Sequence, residues 1–197
     1  GTPLGDVMIH LNPLSLCSLG LGLLICSAAG CDVEDGVAYA PGAGTDSVWD
    51  PQWQTMERAM LDEVNLRRAA GATCGVGDEA EAFAPTSALE MNEALQVAAR
   101  LHSEDMATRD FFEHDNPDGQ DPFARMEQAG YEGAYPWGEN IQAGSPMAAE
   151  AVESLMNSPP HCRNIMDPGY HVMGTGYAFG LEASYGHYWT QTFGGGH

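Results

Sequence analysis

Basic residues are scarce in this sequence. The 197-residue chain has 7 Lys and Arg residues against 28 Asp and Glu residues, which gives a formal net charge of −21. Because phosphate groups and anionic lipid surfaces are bound mainly through Lys and Arg side chains, this balance excludes nucleic acid as a partner and argues against electrostatic docking on a membrane. The acidic surplus permits cation binding without demonstrating it.

Familiar catalytic signatures are absent as well. The chain contains no G-x-S-x-G elbow, no G-x-x-x-x-G-K-[ST] loop and no H-E-x-x-H spacing, and it shows no internal repeat. Hydrophobic residues make up 44% of the chain and charged residues 18%, which is typical of a folded globular protein rather than a disordered one. The length suits one ordinary domain with a tail.

The first part of the chain differs from the rest. Residues 14–29 carry no charge, and the apolar centre, residues 19–26, is too short to span a bilayer comfortably. A short apolar stretch followed by small residues is typical of a signal peptide, and the small-small-Cys ending is similar to a lipoprotein signal in which Cys31 is lipidated. We predict a signal peptide of the lipoprotein type over residues 1–31 and an acidic Gly/Pro linker over residues 32–53. An ordinary cleaved signal or a buried apolar segment is the alternative.

These features predict an extracytoplasmic location, either as a cell-surface or periplasmic lipoprotein or as a secreted protein. Membrane contact is then expected only through the lipid anchor. Two cysteines remain after the predicted signal, Cys74 and Cys162. In an exported chain two thiols suggest one disulfide, worth about 4–5 kcal/mol in the chain-entropy model. The alternative is a nucleophilic Cys162 beside His161.

Hydrophobic spacing predicts helices in the first part of the domain and strands in the second. The predicted helices cover residues 54–70, Ser87 to about Arg109, residues 121–130, and residues 147–157 with a break at Pro159-Pro160. Residues 74–85 are predicted to form a loop, and strand signals lie around residues 139–143, 171–179 and 184–193. Helices followed by strands predict an α+β fold over residues 54–194 rather than a βαβ repeat.

Polar residues capable of chemistry lie in four segments, which contain His114, Gly138-Glu139-Asn140, Ser158-Pro159-Pro160-His161 and Gly186 to Gln191. In this order the segments resemble the CAP superfamily, that is, the cysteine-rich secretory, antigen 5 and plant pathogenesis-related class 1 proteins, also called the SCP domain. The resemblance spans Met56 to Gly194 and is carried by the fragments AARLHSEDMATRDFFEHDNPDG, PFARMEQAGY, GEN, MNSPPHCRNIMDPGYHVMGTGYA and YWTQTFG. The Ser-Pro-x-His segment looks like the short bacterial branch.

The resemblance implies a three-layer α–β–α sandwich with a small central antiparallel sheet and a central cleft. Family members carry His and Glu residues in the cleft, which in some members hold a divalent metal. By this resemblance His114 matches the first family His and Glu139 matches the Glu of the Gly-Glu-Asn motif. The second family Glu falls at Ser158. The second family His falls at Tyr188, with His187 one residue away and so on the opposite face of the strand.

We hypothesise that His161 supplies the second imidazole. Two neutral imidazoles and a carboxylate are a suitable ligand set for Zn²⁺ or another divalent cation, so His114, Glu139 and His161 are the predicted metal ligands. The alternative is that His114 and Glu139 hydrogen-bond each other and brace the cleft without a metal. The remaining candidates for the cleft are Asn140, Tyr188 and Gln191.

The other histidines receive less specific predictions. His102 lies on the apolar face of the second predicted helix and is expected to be a core histidine with a satisfied hydrogen bond. His171 and His187 are expected to be strand-surface or network residues.

The resemblance implies an exported or surface-anchored binding module without enzymatic activity, whose ligand is a small lipid, a peptide, a glycan or a cell-wall component. A divalent-metal-dependent, peptidase-like hydrolase in the same cleft is the alternative, with Glu139 as a ligand or general base. A purely structural or adhesive role is a third hypothesis.

Overall fold

The computed structural model describes residues 49–196. The predicted signal peptide with Cys31, and residues 32–48 of the predicted linker, lie outside the described residues. The helices are α1 (Pro51–Ala70), α2 (Glu93–Arg109), α3 (Pro122–Gln128), α4 (Ala148–Met156) and α5 (Pro159–Met166). The strands are β1 (Ala72–Cys74), β2 (Glu81–Phe83), β3 (Glu90–Met91), β4 (Trp137–Ala143), β5 (Val172–Phe179) and β6 (His187–Gly194). Within this range no helix is long and apolar enough to cross a membrane.

The central sheet has four strands in the order β3-β5-β6-β4. The three longer strands pair antiparallel, as predicted, and the two residues of β3 add a short parallel pairing to β5 at one edge. A separate hairpin of β1 and β2 occupies residues 72–83, most of which were predicted to be loop. Arg163 of α5 holds this hairpin through an ion pair with Glu81, N to O 2.8 Å.

Helices cover both faces of the sheet, which confirms the predicted α–β–α layering. The α1, α4 and α5 helices enclose the larger core with one face, and α2 and α3 pack on the other. The α2 helix packs directly on the backbone of β5 at two glycines. A Cβ on Gly174 would lie 2.1 Å from the Leu95 carbonyl carbon, and one on Gly176 would lie 2.2 Å from the Ala99 carbonyl oxygen, so a larger residue at either position would push the helix away. Because successive side chains of a strand point to opposite faces of the sheet, neighbouring strand residues face different helices.

The α2 helix begins later than the sequence predicted. Ser87 does not cap it. Instead Asn92 is the N-cap, with its side chain accepting a hydrogen bond from the backbone N–H of Leu95 at 3.0 Å. Residues 84–89 stay outside the helix because two side chains of α1 bind their backbone: Asn65 exchanges hydrogen bonds with Leu89, and Arg68 donates to the carbonyl of Ser87. These contacts come from a distant helix, so a capping pattern in the local sequence could not show them.

Smaller corrections concern other element ends. The α1 helix begins at Pro51, inside the range predicted as linker, because Asp50 caps it and Pro51 needs no N–H at the first helical position. For the same reason Pro159-Pro160 opens α5 as well as ending the fourth helix. The final strand begins at His187 rather than at Ser184.

The predicted disulfide is confirmed. Cys74 of β1 and Cys162 of α5 are bonded, with Cα atoms 5.6 Å apart and a sequence separation of 88. Both sulfurs lie in the larger core. The alternative of a nucleophilic Cys162 is wrong, because its sulfur is already in the disulfide.

A buried ion pair lies beside β5, past the two residues that pair with β3, and binds the strand's backbone there. Glu57 of α1 and Arg100 of α2 meet at 2.7 Å and are almost fully inaccessible. The same carboxylate accepts hydrogen bonds from the Trp49 indole at 2.8 Å and from the backbone N–H of Tyr177 at 3.4 Å. The guanidinium lies over the Trp49 ring, 5.4 Å from its centroid.

Candidate functional site

His114, Arg125 and Glu139 form one connected group, which we call the His–Glu cluster. The Nδ1 atom of His114 lies 2.8 Å from one carboxylate oxygen of Glu139, and the Arg125 guanidinium donates to the other oxygen at 2.8 Å. The Glu139 side chain is 3% exposed and that of His114 is 48% exposed. The cluster therefore joins a buried ion pair to an imidazole at the surface.

Each member comes from a different element. Glu139 lies on β4, at the edge of the central sheet, and Arg125 lies on α3. His114 belongs to the segment between α2 and α3, and Arg125 fixes that segment by donating to the carbonyls of His114 and Gln120, both at 2.8 Å. Asp121 caps α3 and so sets the helix that carries Arg125.

The hydrogen-bond pattern determines how His114 is presented. An ionised carboxylate can only accept, so Nδ1 of His114 carries the hydrogen and Nε2 is left for other partners. The hydrogen bond to Glu139 raises the pKa of His114 above its usual 6.5, although partial burial opposes the shift. In its neutral form the ring offers a lone pair at Nε2, and in its charged form it offers a donor there.

His161 lies on the side of β4 opposite to the Glu139 side chain, where its backbone carbonyl accepts a hydrogen bond from Asn140. It lies on α5, where Asn164 donates to the backbone carbonyl of Glu139 at 3.4 Å. Burial lowers the pKa of His161, and the nearby charge of His114 lowers it further. The pKa values of the two imidazoles are therefore shifted in opposite directions, so that His114 favours its charged form and His161 its neutral form.

Asn140 and Gln191, two of the other predicted candidates, lie on the opposite face of the sheet from the Glu139 side chain. The Asn140 amide donates to the Gln191 side chain at 3.0 Å and to the carbonyl of His161 at 3.2 Å, and it accepts from Asn164 at 2.9 Å. Both residues are completely buried. They hold α5 against the sheet, and through it they position His161.

Tyr188 shares a face with Glu139 and lies away from it along the sheet. It pairs with Ala143, whereas Glu139 pairs with Thr192, a difference of four residues in register. At about 3.3 Å per residue this separates the two positions by roughly 13 Å. The Tyr188 hydroxyl donates to Asp110 at 3.2 Å. Tyr188 is therefore not brought into the His–Glu cluster.

The remaining histidines take the places predicted for them. His102 is fully buried, as predicted, and its Nε2 lies 3.1 Å from the carbonyl of Glu113. Its Nδ1 has no hydrogen-bond partner among the described residues, so the ring is only half satisfied. His187 exchanges a hydrogen bond of 2.7 Å with the Tyr177 hydroxyl, on the sheet face opposite to Tyr188. His171 is exposed.

The described residues do not fit the predicted metal site. Among residues 49–196, no three His, Cys, Asp or Glu side chains converge so that they could hold a metal ion. Both oxygens of Glu139 already have partners, and one of these partners is a cation, Arg125. A metal at Glu139 would have to displace the guanidinium, which is itself buried and hydrogen-bonded. Binding of Zn²⁺ by His114, Glu139 and His161 stays a prediction, and the arrangement of the residues argues against it.

Sequence reasoning missed Arg125, because its role depends on an ion pair between α3 and β4. A signal was nevertheless present. In a chain with 7 basic and 28 acidic residues, an Arg inside one of the family-like fragments, here PFARMEQAGY, is a strong candidate for a buried partner of a carboxylate.

Comparisons with known proteins agree with this fold. A "Uncharacterized protein YkwD" of Bacillus subtilis (strain 168) is 37% identical over 107 residues, which cover 53% of this chain and 38% of that protein. The chain thus spans well under half of the length of this relative. An extracellular protein containing a SCP domain from Bacillus anthracis str. Ames has a similar structure, with a TM-score of 0.57 and 20% identity over 74% of this chain and 44% of that one.

The family assignment rests on a match to most of the domain. Residues 61–193 match the family model described as CAP, cysteine-rich secretory protein family. This range contains His114, Arg125, Glu139 and both disulfide cysteines. The chain therefore belongs to the CAP family of cysteine-rich secretory proteins.

Proposed function

We propose that the chain is an exported or surface-anchored CAP domain that binds a ligand through the His–Glu cluster and does not catalyse a reaction. The observation that carries this proposal is the way His114 is held. A buried carboxylate fixes one side of the ring, Arg125 fixes the carboxylate, and nearly half of the imidazole is exposed. Such a fixed polar group beside solvent suits recognition, because little side-chain freedom is lost when a ligand binds.

Several observations support an extracytoplasmic location. The sequence predicts a signal over residues 1–31, and a disulfide between Cys74 and Cys162 is typical of oxidising compartments. The structurally similar Bacillus anthracis protein is described as extracellular. Lipidation at Cys31 is part of the proposal, and mass spectrometry of the native N-terminus distinguishes it from free secretion.

The hydrolase alternative has less support from the contacts. A metal-dependent hydrolase needs an open metal position, and its general base needs a carboxylate free to accept a proton. One carboxylate oxygen of Glu139 is bound by Arg125 and the other by His114. A carboxylate with both oxygens paired in this way positions His114 and is not available as a general base.

The test follows the imidazole resonances of the oxidised full chain by NMR while three probes are added separately. The probes are palmitate, a defined tryptic peptide mixture and soluble fragments of digested cell wall. We expect at least one probe to shift the His114 resonances and to bind less tightly to His114→Gln. The matched control is His171→Gln, which removes an exposed histidine elsewhere.

Binding that is unaffected by His114→Gln would contradict the proposal. So would turnover of the peptide mixture that disappears in Glu139→Gln, because that result would assign the carboxylate a catalytic role.

A further inference from the structure

An exposed group of aromatic rings lies next to the His–Glu cluster. We call it the aromatic platform; it consists of Phe123, Tyr135 and Trp137. The Tyr135 and Trp137 rings stack with centroids 4.6 Å apart and planes 19° apart, and Phe123 lies 6.3 Å from Trp137. Tyr135 is 73% exposed and Phe123 is 45% exposed. The outermost ring is thus available to a partner, and the ring beneath it supports it.

Trp137 anchors the platform to the fold. Its indole N–H donates to the carbonyls of Gly133 and Ala134 at 3.1 and 3.2 Å, and its ring packs on Tyr131 at a centroid distance of 5.2 Å. The indole nitrogen is therefore satisfied, and the ring is fixed between the sheet and the preceding turn. Because Tyr135 stacks on a fixed ring, it is a preorganised flat surface.

The platform and the cluster share two elements. Trp137 and Glu139 are two residues apart on β4, so their side chains lie on the same face, about 7 Å apart along the strand. Phe123 and Arg125 both lie on α3. An apolar stacking surface and a set of hydrogen-bonding groups consequently adjoin each other at one end of the sheet.

We infer that the platform and the cluster together bind a neutral glycan, with one pyranose ring stacked on Tyr135 and hydroxyls of the glycan bonded at His114. This inference rests on the proposed function and names the class of its ligand. The axial C–H groups of a pyranose form an apolar face with partial positive charge, which matches the electron-rich face of an aromatic ring. Sugar hydroxyls both donate and accept, so they suit Nε2 of His114 in either protonation state.

Charge and shape favour this ligand over the others. A chain with a net charge of −21 repels polyanions, so the glycan is a neutral one. An acyl chain gains its binding energy by being enclosed on all sides, whereas the Tyr135 ring offers a single open face. A flat ring with polar groups on its rim can use one open face.

The experiment is calorimetric titration of the oxidised full chain with chitotetraose and, separately, with cellotetraose. We expect binding of at least one of them, weakened about tenfold or more by Tyr135→Ala and largely retained in Tyr135→Phe. Tyr185→Ala is the matched control, since Tyr185 is 52% exposed and packs on Phe112 and Tyr188 in a different part of the structure. Unchanged thermal unfolding of the variants shows that they are folded.

The inference is overturned if neither glycan binds in the millimolar range, or if Tyr135→Ala and Tyr185→Ala have equal effects. His114→Gln separates this inference from the proposed function. Loss of glycan binding in both Tyr135→Ala and His114→Gln supports both. Loss in Tyr135→Ala alone overturns the part of the inference that bonds the glycan at His114, and with it the role proposed for the cluster. Palmitate or peptide binding that needs His114, without glycan binding, overturns the inference and leaves the function standing.

Discussion

Residues 49–196 contain two buried Glu–Arg pairs, which differ in the group bound to the second oxygen of the carboxylate. Glu57 and Arg100 are sealed on every side that the structure describes, with the Trp49 indole bonded to the carboxylate and stacked under the guanidinium. Glu139 and Arg125 have the same short contact, but the second carboxylate oxygen holds His114, which is half exposed.

The comparison shows how one chemical pair can serve two purposes. The Glu57–Arg100 pair joins α1 to α2 and binds the backbone N–H of Tyr177 in β5, so the partners that the structure describes for it are structural. The Glu139–Arg125 pair fixes the ring of His114 and leaves Nε2 outside the pair. Burial of an ion pair is therefore not by itself a functional signal; the exposed group that the pair positions is the signal.

The largest expected difference between the pairs is in stability. Glu57→Gln leaves the Arg100 charge buried with no compensating carboxylate at Glu57, so we expect a loss of about 3–5 kcal/mol in the free energy of unfolding. Glu139→Gln is expected to lose about 1–2 kcal/mol, because Arg125 keeps its bonds to the carbonyls of His114 and Gln120. Urea unfolding of both variants measures this. Equal losses would remove the distinction between a sealed and an open pair.

Cys162 lies on α5, the helix that also carries His161, so removal of the disulfide should affect α5 and β4 more than the surroundings of the Glu57–Arg100 pair. The double variant Cys74→Ala, Cys162→Ala is expected to lose about 2–5 kcal/mol of unfolding free energy, the chain-entropy value lying at the upper end of this range. Hydrogen exchange should speed up more in α5 and β4 than around Glu57, because Cys162 anchors α5 beside the cluster. Uniform acceleration over the whole domain would contradict this assignment.

His102, which is fully buried, should make the stability of the domain depend on pH. Burial lowers its pKa from 6.5 to about 4, so the unfolded chain takes up a proton more readily than the folded chain between these values. Its contribution to stability is present above pH 6.5 and is lost as the pH falls toward 4, by about 3 kcal/mol in total. We expect His102→Gln to flatten the acid limb of stability against pH, and the exposed control His171→Gln to leave it unchanged. An acid limb that is identical in both variants would contradict a buried neutral His102.

The effect of His114 on stability should depend on pH in the opposite sense to that of His102, and it is the smallest effect expected here. Its folded pKa is raised, so the stabilisation by Glu139 is fully present below pH 6.5 and is lost as the pH rises through the folded pKa. NMR titration of the ring measures this pKa directly, and Glu139→Gln is expected to lower it. A wild-type value at or below 6.5 would show that the carboxylate does not hold the ring as described.

Much of the fold could be predicted from local patterns and the family resemblance. The face of α1 that carries Met60 and Val64 and the face of α2 that carries Leu95 and Ala99 are buried as their helical spacing indicates. The predicted start of α2 was wrong because Asn65 and Arg68, far away in the sequence, bind the backbone of residues 87 and 89 and keep this segment out of the helix. Local capping patterns compete with such contacts and cannot report them.

The site was predictable only in part. The motifs brought His114 and Glu139 together correctly, and the strand offset correctly separated His187 from Tyr188. They could not show that Arg125 binds the second oxygen of Glu139, since that pair joins a helix to a strand edge. This one residue changes the chemistry of the cluster, because it supplies inside the protein the positive charge that the sequence assigned to a metal.

Zinc titration by calorimetry tests the central claim most directly, namely that Arg125 and His114 already satisfy the Glu139 carboxylate. The oxidised full chain is titrated beside His114→Ala and His161→Ala. We predict no one-to-one zinc binding that depends on these histidines. One-to-one binding that is lost in both variants would contradict the account, because it would show that the cluster rearranges around a metal and that the guanidinium gives way to it.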